Sequence, residues 1–226
     1  MLRTTRACAG VVLAAGALAA AGPSFATDQA GAVPSSLHAV ESSAEDLVDF
    51  ALAGDRRETA TTAAELATLA RGPAAASLAR AGVAPAKIAR LKRTASRVSQ
   101  LAARGPLVRV ALAANAVSGL MPELYAHFRD RVPPSVLTLD YLDREAQLRS
   151  LVLERARVDV AVKRLVSTWA PLRPKVVAAG GAAPAAAYDK HVSAMKRLVR
   201  GSLTAVRKEA AHGLVLVDAL EQVFTR

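Results

Sequence analysis

The sequence predicts an all-α protein, an antiparallel up-down-up-down bundle of four long helices, and three observations predict it. Aromatic residues make up only 4% of the chain, and no stretch sustains the alternation of β-branched and aromatic side chains that marks a strand. Alanine, leucine and arginine, all good helix formers, are abundant. Glycine and proline gather at a few points, between segments whose apolar residues recur every three or four positions.

Residues 1–26 read as a cleavable export signal. Arg3 and Arg6 form a basic start, Ala7 to Gly22 is uncharged and apolar, and Pro23 breaks the run. Ser24-Phe25-Ala26 then supplies a small-x-small cleavage site. The run is shorter than the roughly 20 residues that span a bilayer. The mature chain is therefore expected to have no transmembrane span and to work in the periplasm or outside the cell. Cys8 is the one cysteine. A mature chain without it makes no disulfide, thiolate metal site or cysteine nucleophile, and covalent c-type haem is excluded. Removing 26 residues from 226 leaves 200, and losing Arg3 and Arg6 takes the formal charge from +11 to +9. Residues 27–35 are expected to be a flexible start, and 36–226 a single bundle domain.

The first helical segment runs from Ser36, an N-cap residue, to Arg71 before Gly72-Pro73. A loop or short helix then ends at Gly82-Val83-Ala84-Pro85. The second segment runs from Ala86 to about Arg129. Pro133-Pro134 is the sharpest break, because two prolines in succession cannot continue a helix. The third segment spans Val136 to Ala179 and stops at Gly180-Gly181, and the fourth runs from Pro184 to Phe224. Val158, Val162, Leu165, Trp169, Leu172 and Val176 alternate by four and three, as a bundle core face requires. Gly82-Val83-Ala84-Pro85-Ala86 recurs as Gly181-Ala182-Ala183-Pro184-Ala185, and Leu66 to Ala70 resembles Val166 to Ala170. These matches fit a duplicated helical hairpin, and alanine-rich composition also generates such matches by chance.

Polar residues interrupt the core faces at Asp55, Asn115, Arg155 and Glu209, with His212 one turn beyond. Placed along four long helices, their heights agree within about one turn, roughly 6 Å. They form a candidate polar layer in which carboxylates neutralise a guanidinium, either fixing register or lining a ligand pocket; the remaining alternative is that Gly54 breaks the first helix and the alignment is an accident. A dimetal centre needs two Glu-x-x-His motifs, and Glu209-Ala210-Ala211-His212 is the single one present. His38, Glu41, Glu123 and His127 are further metal-ligand candidates at an acidic end to which Asp140, Asp143, Glu145, Asp218 and Glu221 also map. Non-covalent haem would draw on Met121, Met195, His191 or His212.

The other end is basic, with Lys87, Arg90, Lys92, Arg93 and Arg97 near Arg173, Lys175, Lys190, Lys196, Arg197 and Arg200. It suits an anionic surface or an envelope protein. Nucleic acid is disfavoured by export and by the scarcity of aromatics for stacking. The sequence has no hydrolase elbow, P-loop, dinucleotide fingerprint or zinc-protease helix. The expectation is a soluble, exported, non-enzymatic binding protein of unassigned cofactor. The alternatives are a non-covalent metal or haem carrier and a helical adaptor for another envelope protein.

Overall fold

The computed structural model describes residues 31–226, so the export signal and the first residues after it lie outside the described residues. Among the described residues the chain is all-helical. Its segments are α1 (Ser35–Ala53), α2 (Arg56–Arg71), α3 (Pro73–Arg80), α4 (Pro85–Arg104), α5 (Leu107–Ser118), α6 (Met121–Tyr125), α7 (Pro134–Leu151), α8 (Arg155–Ala178), α9 (Ala182–Leu198) and α10 (Leu203–Thr225). Ala32 bridges to Arg129, whose N–H donates to the Gly31 carbonyl at 2.9 Å.

Each of the four long helices is in fact interrupted near its middle. Gly54 takes a left-handed φ of 82° and Asp55 caps α2 by accepting from the Glu58 N–H at 3.0 Å. Gly105-Pro106 separates α4 from α5, and Gly201 lies between α9 and α10, where Ser202 caps by accepting from the Ala205 N–H. In the third segment Leu153 adopts φ 60° ahead of α8, a conformation that costs a non-glycine residue about 1–3 kcal/mol.

Halving the helices changes the assembly. In place of one long bundle, α1, α2, α4 and α5 enclose one apolar core, with α3 and α6 packed on it. A second core lies among α7, α8, α9 and α10. In each unit the helices pack as a closed ring, first on second, second on third, third on fourth and fourth on first. The units meet where α5 and α6 lie on α7, and Leu148 of α7 enters the first core. Leu107–Tyr125 is long and apolar enough to cross a bilayer. In this fold it forms α5 and α6, burying Val110, Ala114, Val117, Met121 and Leu124.

The repeat is therefore a four-helix unit, twice the expected hairpin. Leu37, Val40, Ala44, Leu47 and Ala51 of α1 are buried, and so are Val136, Leu139, Asp143, Ala146 and Ser150 of α7, 99 positions on. Ile88, Leu91, Ala95 and Val98 of α4 match Ala185, Tyr188, Val192 and Met195 of α9, 97 positions on. Val110, Ala114 and Val117 of α5, with Met121 and Leu124 of α6, match Val206, Ala210, Gly213, Val217 and Leu220 of α10, 96 positions on. The left-handed residues Gly54 and Leu153 are also 99 apart. Leu66 consequently pairs with Leu165, one position off the match read from sequence.

Candidate functional site

The expected polar layer does not assemble. Asp55 and Arg155 lie at the starts of equivalent helices in different units, and both are exposed. Asp55 is a helix cap. Arg155 donates to the Val199 and Gly201 carbonyls at 3.0 and 2.8 Å, tying α8 to the α9–α10 turn. Asn115 is fully buried and donates to Glu145 Oε2 at 3.0 Å across the α5–α7 contact. His212 is exposed. The heights had been counted along helices twice their real length, so equal distances from the ends did not mean one layer.

Glu209 instead belongs to a chain of polar groups inside the second core. Tyr188 Oη donates to Asp143 Oδ2 at 2.8 Å. His191 Nε2 lies 2.9 Å from Asp143 Oδ1, and His191 Nδ1 lies 2.9 Å from Glu209 Oε1. The Asp143 and His191 side chains have no solvent exposure, and Glu209 carries the chain outward to the surface. With carboxylate oxygens at both ring nitrogens, His191 satisfies them by donating twice, as imidazolium. Burial works against that charge, but the hydrogen bonds and charges of Asp143 and then Glu209 outweigh it, and the His191 pKa is raised. Burial also raises the Asp143 pKa, opposed by the bonds from His191 and Tyr188.

Gly213 of α10 makes room for the pair. A Cβ there would lie 2.6 Å from Asp143 Cγ and Oδ2 and from His191 Cε1. The first unit has Ala44, Leu91, Thr94 and Val117 at the positions of Asp143, Tyr188, His191 and Gly213. Sequence reading placed Asp143 in the acidic end and treated His191 as a spare ligand. The overlooked signal was Asp143 on the Val136–Leu139–Ala146–Ser150 stripe. The network links α7, α9 and α10 by charge and hydrogen bonding, and its reactive atoms face one another away from solvent.

The four metal candidates form two separate pairs. Tyr125 Oη donates to Glu41 Oε2 and sits 2.8 Å from His38 Nδ1. Lys87 Nζ lies 3.0 Å from Glu123 Oε1 and 3.3 Å from His127 Nε2, so an ammonium stands between that second pair. Among the described residues no group of three or more His, Cys, Asp or Glu is arranged to hold a metal ion.

The acidic end becomes a seam between the units. Glu41 and Glu45 of α1 face Asp140 of α7 and Glu221 of α10, with Asp218 and Asp130 near. Arg144, buried, is the central cation, 3.4 Å from Asp140 and 4.0 Å from Asp49. Burial, then the neighbouring Asp140, pushes Glu45 up to about 8 and Glu221 up to about 7 from an ordinary 4.5. A carboxyl whose folded pKa is raised holds its proton more tightly folded than unfolded. Its contribution is full below about pH 4.5 and is lost as pH rises through 7 to 8. His191, raised from 6.5, has the same sign. Denaturant unfolding is therefore expected to show higher stability near about pH 5 than near about pH 8.5. A midpoint that is flat or rises over that interval contradicts the burial of these carboxyls.

The basic residues divide between two outer hairpins. Residues 155–200 carry ten Lys or Arg against Asp159 and Asp189, and residues 56–104 carry ten against Glu58 and Glu65. In the second unit α8 and α9 flank a groove of about 250 Å³. Val162, Val166 and Val199 form its floor, with Lys163, Lys196 and Arg200 at the rim. Asp159 is paired with Lys163 at 2.6 Å. Lys196, Arg197 and Arg200 make no ion pair among the described residues, and with Ser193 they line an adjoining hollow. Arg173 is instead committed to Asp189 at 2.8 Å. At the first unit's equivalent positions stand Ala63, Ala64, Ala67, Ser99 and Ala102. Comparison with protein-family models, curated proteins and solved structures finds no match for this chain.

Proposed function

We propose that the protein is an exported, non-enzymatic binding protein whose working face is the cationic groove between α8 and α9, and that its ligand is anionic. One observation carries this reading. Lys163 and Lys196, and the valine floor beneath them, replace small uncharged residues at the equivalent places of the other unit. Helix stability does not need that change, because alanine is the better helix former. An apolar floor beside Lys196 and Arg200, which make no ion pair among the described residues, lowers the local dielectric and strengthens their pull on an anion. The buried Asp143–His191 pair supports the same reading by fixing α9, and with it Lys196 and Arg200, against α7 and α10.

The test is calorimetric titration with dextran sulfate as the anionic probe. Wild-type protein is expected to bind, and to weaken steeply between about 0.01 M and about 1 M salt, where the screening length falls from about 30 Å to about 3 Å. Changing Lys163, Lys196 and Arg200 together to Gln is expected to lower affinity at least about tenfold, or about 1.4 kcal/mol. Equal affinity in that variant, or binding indifferent to salt, rules the groove out.

A further inference from the structure

We infer that the protein is bivalent: the α2–α4 hairpin carries a second anion-binding face, and the two hairpins together bridge segments of a linear polyanion. The inference rests on the groove reading and extends it to the other unit.

The charge distribution supports it. Each outer hairpin has ten cations against two acids, while α1 has four acids and no Lys or Arg. Positive charge is therefore concentrated on the two wings. The extensive contacts between the units run through α5, α6 and α7, which leaves both wings outside the junction. On α4, Arg90, Arg93 and Arg97 are exposed and make no ion pair among the described residues. They follow one another by three and four residues, so they form one stripe with rises of about 4.5 and 6 Å. Beside α4, Arg71 and Lys92 flank a second hollow of about 500 Å³.

These features favour a polymer over a membrane. Adsorption to a lipid interface draws on exposed aromatic and large apolar side chains. On the wings Trp169 and Tyr188 are buried, and the exposed large apolar side chains are Val160 and Val177, both on α8. A chain bearing sulfate, phosphate or carboxylate groups at regular short intervals matches a stripe of guanidinium groups and needs no apolar insertion.

The experiment uses the purified chain, dextran sulfate, and vesicles of equal parts phosphatidylglycerol and phosphatidylcholine. Calorimetry reads affinity and light scattering reads cross-linking as the protein-to-polymer ratio rises. One variant carries Arg90→Gln, Arg93→Gln and Arg97→Gln, another carries Lys163→Gln, Lys196→Gln and Arg200→Gln, and a third carries all six. All changes are on the surface, and circular dichroism checks that helicity is kept. The wild type is expected to scatter strongly at intermediate ratios and to clear at excess protein. Either triple variant should still bind, at least about tenfold more weakly, without scattering, and the sixfold variant should not bind. If the α4 variant scatters like wild type, or the groove variant alone abolishes binding, bivalency is overturned and the single groove stands. Failure of the wild type to bind dextran sulfate overturns the groove reading itself. Binding to vesicles without binding to the polymer overturns the polymer as partner.

Discussion

Replacing Asp143 by alanine is expected to cost about 3–5 kcal/mol, because it leaves one member of a buried ion pair alone. His191 would keep Glu209 on Nδ1 but lose its partner on Nε2, and the Tyr188 hydroxyl would lose its acceptor. Neither is replaced by water easily, since His191 and Tyr188 are buried. The informative comparison is with the full set of first-unit residues: Asp143→Ala, Tyr188→Leu, His191→Thr and Gly213→Val. That quadruple variant removes the buried charges and the Tyr188 hydroxyl, and leaves of the network only Glu209, which reaches the surface. Its threonine can bond the carbonyl four residues back, as Thr94 bonds Arg90 at 2.9 Å. It is expected to recover most of the loss, because an apolar set of matched volume commonly equals or exceeds a buried ion pair in stability. Denaturant midpoints of the two variants decide the matter. A quadruple variant as unstable as Asp143→Ala would show that the network is the foundation of the second core and not a replaceable insert.

The all-helical class was legible because it depends on local properties, namely helix propensity and the spacing of apolar residues. Four breaks were legible for the same reason, since Gly72-Pro73, Gly82 with Pro85, Pro133-Pro134 and Gly180-Gly181 combine residues that disfavour helix continuation locally. The missed breaks depend on context. A single glycine such as Gly54 is tolerated within helices at about 1 kcal/mol, and it ends one here because Asp55 caps the next. Leu153 has no local signal, and its left-handed backbone becomes intelligible only through its equivalence with Gly54. Once those breaks were missed, Asp55 and Arg155 fell in the middle of imagined helices and looked like a buried layer. The real buried charge, Asp143, was discounted because acidic residues cluster around it in sequence. Only the position of its Cβ on the apolar stripe distinguished it from half-buried Glu145 and Glu154. Burial of a single carboxylate is a tertiary fact, decided by His191 and Gly213 from helices 48 and 70 residues further along the chain.

Gly213→Ala tests the same site from the opposite side, and here two effects of opposite sign compete. Gly213 lies inside α10, where alanine normally stabilises a helix by about 1 kcal/mol over glycine. Against that, the new Cβ would lie 2.6 Å from Asp143 Cγ and Oδ2 and from His191 Cε1. Those atoms are not free ends that swing aside, since Tyr188 and Glu209 hold the pair from both directions. Forcing a methyl into a close-packed core costs about 1–3 kcal/mol, and spreading a buried charge pair adds to it. The clash wins, and a net loss of about 1–2 kcal/mol is expected, or a fall in Tm of about 2–8 °C for a chain of this size. The double variant Gly213→Ala, Asp143→Ala separates the causes. With the carboxyl gone, His191 Cε1 is the remaining close neighbour and its ring has lost the partner on Nε2, so the second substitution is expected to cost clearly less on top of the first than it does alone. A strongly non-additive cycle of that sign assigns the need for space at residue 213 to the Asp143–His191 pair. Simple additivity would mean that the glycine serves the path of α10 and not the buried charge.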